Sequence, residues 1–389
     1  MYVAIVESKV NIRWLEFGIK VNNGIKARPK WVHRGGTLAA YDKTPLPYAY
    51  IALIGKRHGI EAKSQIFGSI SFYEAYFLET AHLDWKAACD HGNRFLPYLQ
   101  ESEPQYVEEM HGVANGAGVS FESILVLNVR TEIVYGLSKD DGCTAISWQN
   151  EEALLAQTWD WKPAQGPNLI QLTVRKPDHQ ICMITEGGII GKIGINSRGI
   201  GVCLNAIRAF GVTYTKLPVH LALRKILDHQ GSLHKVVEQI KACGVASSAH
   251  ILTASMDAAY GIETTHRDVV LLQPQVLALG HIILHTNHLL AKHDGVDERL
   301  ELQDSIPRLA RANQLIQAHI GSPSIAKLKE ILKDEEGYPV GICRDVAPTG
   351  GSSTLFSIVM DLKDKRGYVK IGRPVGDGED IVLDASMAQ

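Results

Sequence analysis

The sequence predicts an α+β fold, and three observations predict it. Apolar residues recur at intervals of three and four through the first third, the period changes to two after Cys143, and helical pairs then alternate with further strand blocks. With 389 residues the chain can bury an ample core. No internal repeat or low-complexity segment divides it, so residues 49–389 read as one domain.

Residues 1–48 read as a basic appendage: positions 1 to 45 hold eight Lys or Arg against three acids, with Pro29, Gly35-Gly36 and little periodicity. From Phe72 to Leu99 the positions Phe72, Tyr76, Leu78, Leu83, Trp85, Leu96 and Leu99 predict amphipathic helices interrupted near Gly92 and ended around Pro97. Tyr106 to Ala114 continues the pattern, and Ser120 opens a short helix through Leu127 with a capping-box-like start. Strands follow at Thr144–Trp148, Leu154–Thr158, Leu169–Arg175, Gln180–Glu186 and Ile200–Asn205, joined by turns short enough for an antiparallel sheet. Two helices, Pro218–Gln230 and Ser232–Cys243, precede strands at His250–Ala254, Tyr260–Glu263, Val269–Gln273 and Ile282–Thr286. A second helical pair covers Ser305–Ile320 and Pro323–Lys333, with Ser322 as the expected N-cap. Strands Thr354–Asp361 and Gly367–Ile371 end the series.

Composition excludes some functions. Lys and Arg number 40 against 42 acids, for a net charge of −2, which gives no field for nucleic acid or an anionic membrane. The apolar runs fall short of the roughly 20 residues of a spanning helix, and residues 1 to 9 lack a signal-peptide core. The expected compartment is cytoplasmic; the end Ser386-Met-Ala-Gln389 does not resemble a Ser-Lys-Leu peroxisomal address.

Six scattered cysteines without a C-x-x-C pair argue against a zinc site, a redox motif and a disulfide framework. Cys182 and Cys203 read as small buried hydrophobes. Cys143 differs, because it follows the turn former Asp140-Asp141-Gly142 and opens an alternating strand. Were the Gly142–Cys143 bond to break, one residue would hold both a thiol and a free α-amine able to act as its base. Thiolate attack on an amide creates an oxyanion that needs nearby donors, for which Asn287 and Asn205 are candidates, although asparagine also serves as a turn or strand-end hydrogen bonder. A hairpin starting at Cys143 returns Asp160 towards the cysteine, where an acid would orient the new amine. His281, His285 and His288 fall on an extended segment, where four residues separate side chains by roughly 13 Å, too far to share one metal ion. No metal is expected.

Asp141-Gly-Cys-Thr144, Trp159-Asp-Trp161, Thr185 to Gly194, Asn196-Ser-Arg-Gly199, His285-Thr-Asn-His288, Ile342-Cys-Arg344 and Gly372-Arg-Pro374 together resemble one family in order and spacing. It is the acyl-coenzyme A:isopenicillin-N acyltransferase family of N-terminal nucleophile hydrolases. Gly55-Lys-Arg-His-Gly59 and Asn128-Val-Arg-Thr-Glu132 extend the likeness upstream, so that it runs from about residue 50 to about 375. The resemblance implies a four-layer αββα sandwich, made as a precursor that cuts itself into residues 1–142 (α) and 143–389 (β), which stay associated. It implies Cys143 as nucleophile, Asn287 as oxyanion donor and Asp160 as the acid beside the nucleophile. Asn205, Trp161 and Arg344 are the candidate substrate or oxyanion contacts. Where the penicillin enzyme has an active-site serine-arginine pair, this chain has Gly350-Gly351, leaving Arg344 or Arg373 to supply a guanidinium for carboxylate or phosphate.

The expected activity is acyl transfer from an amide or a coenzyme A thioester, through a Cys143 acyl-enzyme, to an amine or water, in specialised peptide-derived or penicillin-like metabolism. No cofactor is implied; coenzyme A would enter only as a thioester substrate. Partners are then a small amide, amine or acyl-coenzyme A and the two fragments of one precursor. The alternatives are a β-alanyl-amine-type amide hydrolase and an uncleaved scaffold relative. A papain-like protease would need an imidazole beside its thiol, and its local signatures are missing.

Overall fold

A computed structural model describes residues 5–7, 48–134, 142–298, 303–319, 322–348 and 350–387. Of the basic stretch 1–48, only Tyr48 and the strand β1 (Ile5–Glu7) are among them. β1 adds in parallel to the edge of the main sheet, while the rest of that expectation lies outside the described residues.

Helices fill the described segment before Cys143: α1 (Tyr48–Glu61), α2 (Lys63–Ala81), α3 (Trp85–Asn93), α4 (Leu96–Ser102), α5 (Pro104–Ala117), α6 (Phe121–Asn128) and α7 (Arg130–Ile133). Their limits follow local chemistry. Asp84 caps α3 by accepting from the N–H of Ala87 at 2.7 Å, Ser120 caps α6 through Ser123, and Gly118, at φ 75°, ends α5. Pro97 does not end a helix as expected; it sits in the first turn of α4, where its missing N–H costs nothing. α1 and α5 pack backbone to backbone. A Cβ on Gly55 or Gly59 would lie 2.0–2.2 Å from a carbonyl of α5, and one on Gly112 or Gly116 would lie 2.1–2.2 Å from a carbonyl of α1.

The first sheet runs β1, β4 (Leu169–Lys176), β5 (His179–Glu186), β6 (Ile193–Asn196), β7 (Gly201–Ala206), β8 (Ala249–Ala254), β9 (Ala259–Thr264), β10 (Val269–Leu272). The second runs β11 (Gln275–Leu277), β12 (Gly280–His285), β2 (Gly142–Gln149), β3 (Ala153–Trp161), β13 (Ser353–Asp361), β14 (Arg366–Ile371), β15 (Asp380–Asp384). Every pairing except β1 with β4 is antiparallel. The expected strands are all present. The period-two reading missed β6, which follows Gly187, Gly188 and Gly191 that read as bends, and the short β11 and β15.

The two sheets lie face to face, β2 and β3 against β7 and β8. α8 (Val219–Asp228) packs on β5, β6 and β7 from one side, with α9 (Leu233–Cys243) beside it; α10 (Ser305–Ala318) and α11 (Ile325–Leu332) cover β12, β2, β3 and β13 from the other. This is an α+β sandwich with layers in the order αββα. Alternation along β2 sorts its side chains: Cys143 and Ala145 join the core between the sheets, while Ile146 and Trp148 pack with Ala312, Ile316, Leu328 and Ile331 beneath the helices. The N-cap of α11 is Ser324, which accepts from Lys327, and not Ser322; the extended residue before the helix is the one that turns into it. Across the sandwich, Gln157 on β3 takes the N–H of Leu204 at 3.0 Å and donates to its carbonyl, fixing β7 against β3 one residue before Asn205.

Candidate active site

The β2–β3 hairpin sets Gly142 opposite Asp160 and Cys143 opposite Trp159. Asp160 thus lies within β3 and not just past it, and the return strand brings it back to the cysteine as the hairpin reading expects. Cys143 is buried, and side chains from three other elements converge on its two backbone polar groups. Its N–H donates to Asn287 Oδ1 at 2.8 Å. Its carbonyl accepts from Arg308 Nη1 at 2.8 Å and from Asn205 Nδ2 at 3.2 Å. Arg308 Nη2 also donates to Asn287 Oδ1 at 2.8 Å, which sets the asparagine amide so that Nδ2 donates to the Ala206 carbonyl at 3.0 Å. An amide nitrogen carries two hydrogens, so one remains beyond the Ala206 bond.

Asp160 lies on the opposite face of the hairpin from the thiol. Thr354 donates to its Oδ1 at 2.6 Å, and Arg344 Nε stands 3.4 Å from its Oδ2. Thr354 is the register partner of Asp160 across β3 and β13, which puts both side chains on one face; the register then shifts between Thr354 and Phe356. Burial pushes the Asp160 carboxyl up to about 6, against the pull of the Arg344 and Arg308 guanidinium groups and the Thr354 hydrogen bond. Asp304 links the two arginines, accepting from Arg308 Nε at 2.8 Å and from Arg344 Nη2. Gly142 is pressed into this cluster: a Cβ there would lie 2.5 Å from Arg344 Nε and 2.7 Å from Asp160 Oδ2.

Trp161 stacks with Trp159 at 6.2 Å between centroids and meets Tyr76 edge-on at 5.3 Å, with the Arg130 guanidinium 5.2 Å from its ring. Beneath these rings Glu186 is fully buried and accepts from Arg130 Nη2 at 2.9 Å, from Gln165 Nε2 at 3.0 Å, and from Tyr73 and Lys192. Lys192 Nζ sits 3.7 Å from the centre of the Trp159 ring. Burial lowers Lys192 to about 7; Glu186 opposes that, Arg130 reinforces it, and Cys143 contributes in the raising direction. The Lys192 amine therefore lies within electrostatic range of Cys143.

The structure thus brings together Cys143, Gly142, Asp160, Asn287, Asn205 and Arg344. It does not bring Arg373 there, which pairs with Glu335 and Asp345. Gly350 and Gly351 have positive φ, 92° and 127°, and contribute no charge. Sequence reasoning missed Arg308, Thr354 and Lys192. Arg308 falls on the buried 3-4-4 stripe Ser305, Arg308, Ala312, Ile316, and Lys192 is the lone charge in an apolar, glycine-rich run; a charge in such a place was the available signal. The other thiols are raised by burial, Cys89 and Cys182 to about 11 and Cys203 well beyond its ordinary range. Among the described residues no group of three or more His, Cys, Asp or Glu side chains is arranged so that it could hold a metal ion.

Residues 148–375 match the family model described as acyl-coenzyme A:6-aminopenicillanic acid acyl-transferase. A protein of Emericella nidulans, the acyl-coenzyme A:6-aminopenicillanic-acid-acyltransferase 40 kDa form, is 37% identical over 340 residues, covering 86% of this chain and 93% of the relative. Among solved structures, a mutant of conjugated bile acid hydrolase from Clostridium perfringens covers 62% of this chain and 92% of its own, at 12% identity and a TM-score of 0.43. Penicillin V acylase from Agrobacterium tumefaciens covers 62% and 86%, at 13% identity and 0.39.

Proposed function

This chain belongs to the acyl-coenzyme A:6-aminopenicillanic acid acyl-transferase family, and from that premise we propose that it is a self-processing acyltransferase and amidohydrolase whose nucleophile is Cys143. The observation that carries the proposal is the convergence of Asn287, Asn205 and Arg308 on the N–H and carbonyl of one cysteine. A thiol that needed only packing would not need its backbone held by three buried polar side chains, each costly to desolvate.

In the proposed maturation the Cys143 thiol attacks the Gly142 carbonyl and its proton passes to the departing Cys143 nitrogen. The C–N bond breaks, leaving Gly142 as a thioester on sulfur. Water hydrolyses that ester, giving a Gly142 carboxylate and a free thiol beside a free α-amine. Free α-amines have pKa values of about 8, near the working range of a general base. Asn287 Oδ1, which now accepts the Cys143 amide hydrogen, would accept from the amine and hold its lone pair towards the thiol; the second Nδ2 hydrogen would serve the oxyanion of an external substrate. Asp160, beside Gly142 with its carboxyl raised to about 6, would steady the charged amine when it holds the proton. An acyl donor, amide or thioester, would acylate the sulfur and release its amine or thiol, and an amine or water would then take the acyl group.

Substrates without a carboxylate fit this site best, because Arg344 is committed to Asp304 and Asp160 and Gly350-Gly351 supply no charge. That favours hydrolysis of small amides alongside transfer. Intact mass spectrometry of purified protein, before and after an electrophilic acyl probe, tests the proposal. The expected result is two polypeptides, residues 1–142 and 143–389, with the label on Cys143, and a single unlabelled chain for Cys143→Ala. An active single chain, or a label on another thiol, would overturn it. Rates on a neutral amide and on an acyl-coenzyme A with 6-aminopenicillanic acid as acceptor then compare the two branches.

A further inference from the structure

Behind Asn205 lies a buried array of imidazoles and carboxylates with no part in the chemistry above. Glu263, fully buried on β9, accepts from His285 Nε2 at 2.9 Å, from His293 Nε2 at 3.2 Å, and from the N–H groups of Leu290 at 2.6 Å and Ala291 at 2.9 Å. Burial opposes its ionisation, but these donors outweigh burial and hold the carboxyl below its ordinary range. The remaining nitrogen of each imidazole also faces an oxygen with no hydrogen to give: His285 Nδ1 lies 2.9 Å from the Thr286 carbonyl, and His293 Nδ1 lies 2.7 Å from Asp268 Oδ1. Each ring is thus held at both nitrogens by an oxygen acceptor, which fixes its orientation.

His250, opposite Glu263 in the β8–β9 register, stacks on His285 at 3.5 Å between centroids and 11° between planes. Burial first, and the His285 charge second, push its imidazole well below the ordinary range and keep it neutral. A neutral ring has one hydrogen, and the geometry says where it is. Asn205 gives its Nδ2 to two carbonyls, Cys143 at 3.2 Å and His285 at 3.4 Å, so it is Oδ1 that faces His250 Nδ1 at 3.0 Å. Nδ1 therefore carries the hydrogen, and Nε2 is a buried lone pair without a hydrogen-bond partner among the described residues; a Cβ on Gly261 would lie 2.8 Å from it.

We propose that His250, oriented by the Glu263-centred array, is a positioning residue: its Nδ1–H anchors the Asn205 amide, and Asn205 in turn holds the Cys143 carbonyl from the side opposite the α10 helix. The inference rests on Cys143 being the nucleophile. Without the anchor, Asn205 keeps a buried oxygen unpaired and its grip on Cys143 loosens, which slows the reaction without altering what the substrate touches.

The test compares His250→Phe, which keeps a flat ring without a donor, with His250→Gln, which restores an N–H towards Asn205. Self-cleavage half-time, kcat and KM on a neutral amide, and unfolding midpoint are measured for each. The expected result for His250→Phe is a kcat lower by about tenfold, the effect of one lost buried hydrogen bond, with KM unchanged and slowed self-cleavage; His250→Gln recovers most of both. Two folded variants equal to wild type, or equally impaired, would overturn the proposal. Neutron diffraction from wild-type crystals decides independently, even if the phenylalanine variant fails to fold. A deuteron on His250 Nδ1 alone supports the assignment; a deuteron on Nε2 with Nδ1 bare overturns it. Wild-type protein that is never cut or never labelled at Cys143 would instead sink the nucleophile reading, leaving the tautomer measurement standing by itself.

Discussion

A methyl group at position 142 has no room. It would enter the gap between Arg344 Nε and Asp160 Oδ2, whose side chains are held through other atoms by Asp304 and Thr354, so Gly142→Ala must displace the pair or tilt the strand that presents Cys143. The expected outcome is self-cleavage slowed by at least about tenfold, followed as the disappearance of precursor on denaturing gels. Arg308→Ala removes a donor from the Cys143 carbonyl and the group that sets the Asn287 amide. Losing a charged, buried donor costs roughly 1.5–3 kcal/mol per bond, so kcat should fall by one to two orders of magnitude, and Arg308→Lys should recover little because one ammonium cannot span both acceptors. Cys143, Asp160 and the two asparagines were legible because each belongs to a residue type that thiol chemistry needs and sits at a strand end. Arg308 was not, since one arginine in an amphipathic helix reads as surface until the helix is rotated onto its sheet.

Between elements, the clearest lever is Glu132 of α7. One of its oxygens accepts from the N–H of Val219 at 2.9 Å, at the start of α8, and from Ser247 at 2.9 Å; the other is buried without a hydrogen-bond partner among the described residues. Burial pushes this carboxyl up to about 7, against those hydrogen bonds and Arg130. The folded state therefore binds a proton that the unfolded state has released between about pH 4.5 and 7. Stability falls as pH rises through that window, by up to about 3 kcal/mol from this group. Glu132→Gln keeps the accepting oxygen and removes the titration, so its unfolding midpoint should change less than that of wild type between pH 5 and 8 in a thermal scan. A wild-type midpoint that rises over the same range relative to the variant would contradict this. The helices after Cys143 were readable to within about two residues, whereas α1 was not read and α2 begins at Lys63, well before Phe72 where the periodic reading starts. β6 and β15 were not readable, because one is built from glycine-punctuated sequence and the other is a short edge strand whose partner is remote in the chain.

For the molecule as a whole, the α+β class followed from the change of period at Cys143, whereas the stacking of one sheet on the other depends on contacts far apart in sequence, such as Gln157 with Leu204. The segment before Cys143 is bound to the rest by buried pairs: Arg224 grips Glu109 through both oxygens at 2.9 and 2.7 Å, and Arg130 meets Glu186 at 2.9 Å, within a core to which both segments contribute. Salt at 1 M screens over about 3 Å of solvent but does not reach desolvated pairs. Once cut, the two polypeptides should co-elute in size-exclusion chromatography at 1 M salt and part only in denaturant; separation by salt alone would show that surface charge holds them. Among the described residues no helix is long and apolar enough to cross a membrane.

The glycine faces of α1 and α5 give the segment before Cys143 a spine of its own. Rods that touch along bare backbone leave no side chains between them to act as ball bearings, so they move as one splint or not at all. Both rods lie on the same side of the bond that maturation would sever, and so the splint would pass through the cut intact. A single alanine at Gly112 would wedge the rods apart, an injury inflicted far from the thiol and felt first as a poorer yield of precursor.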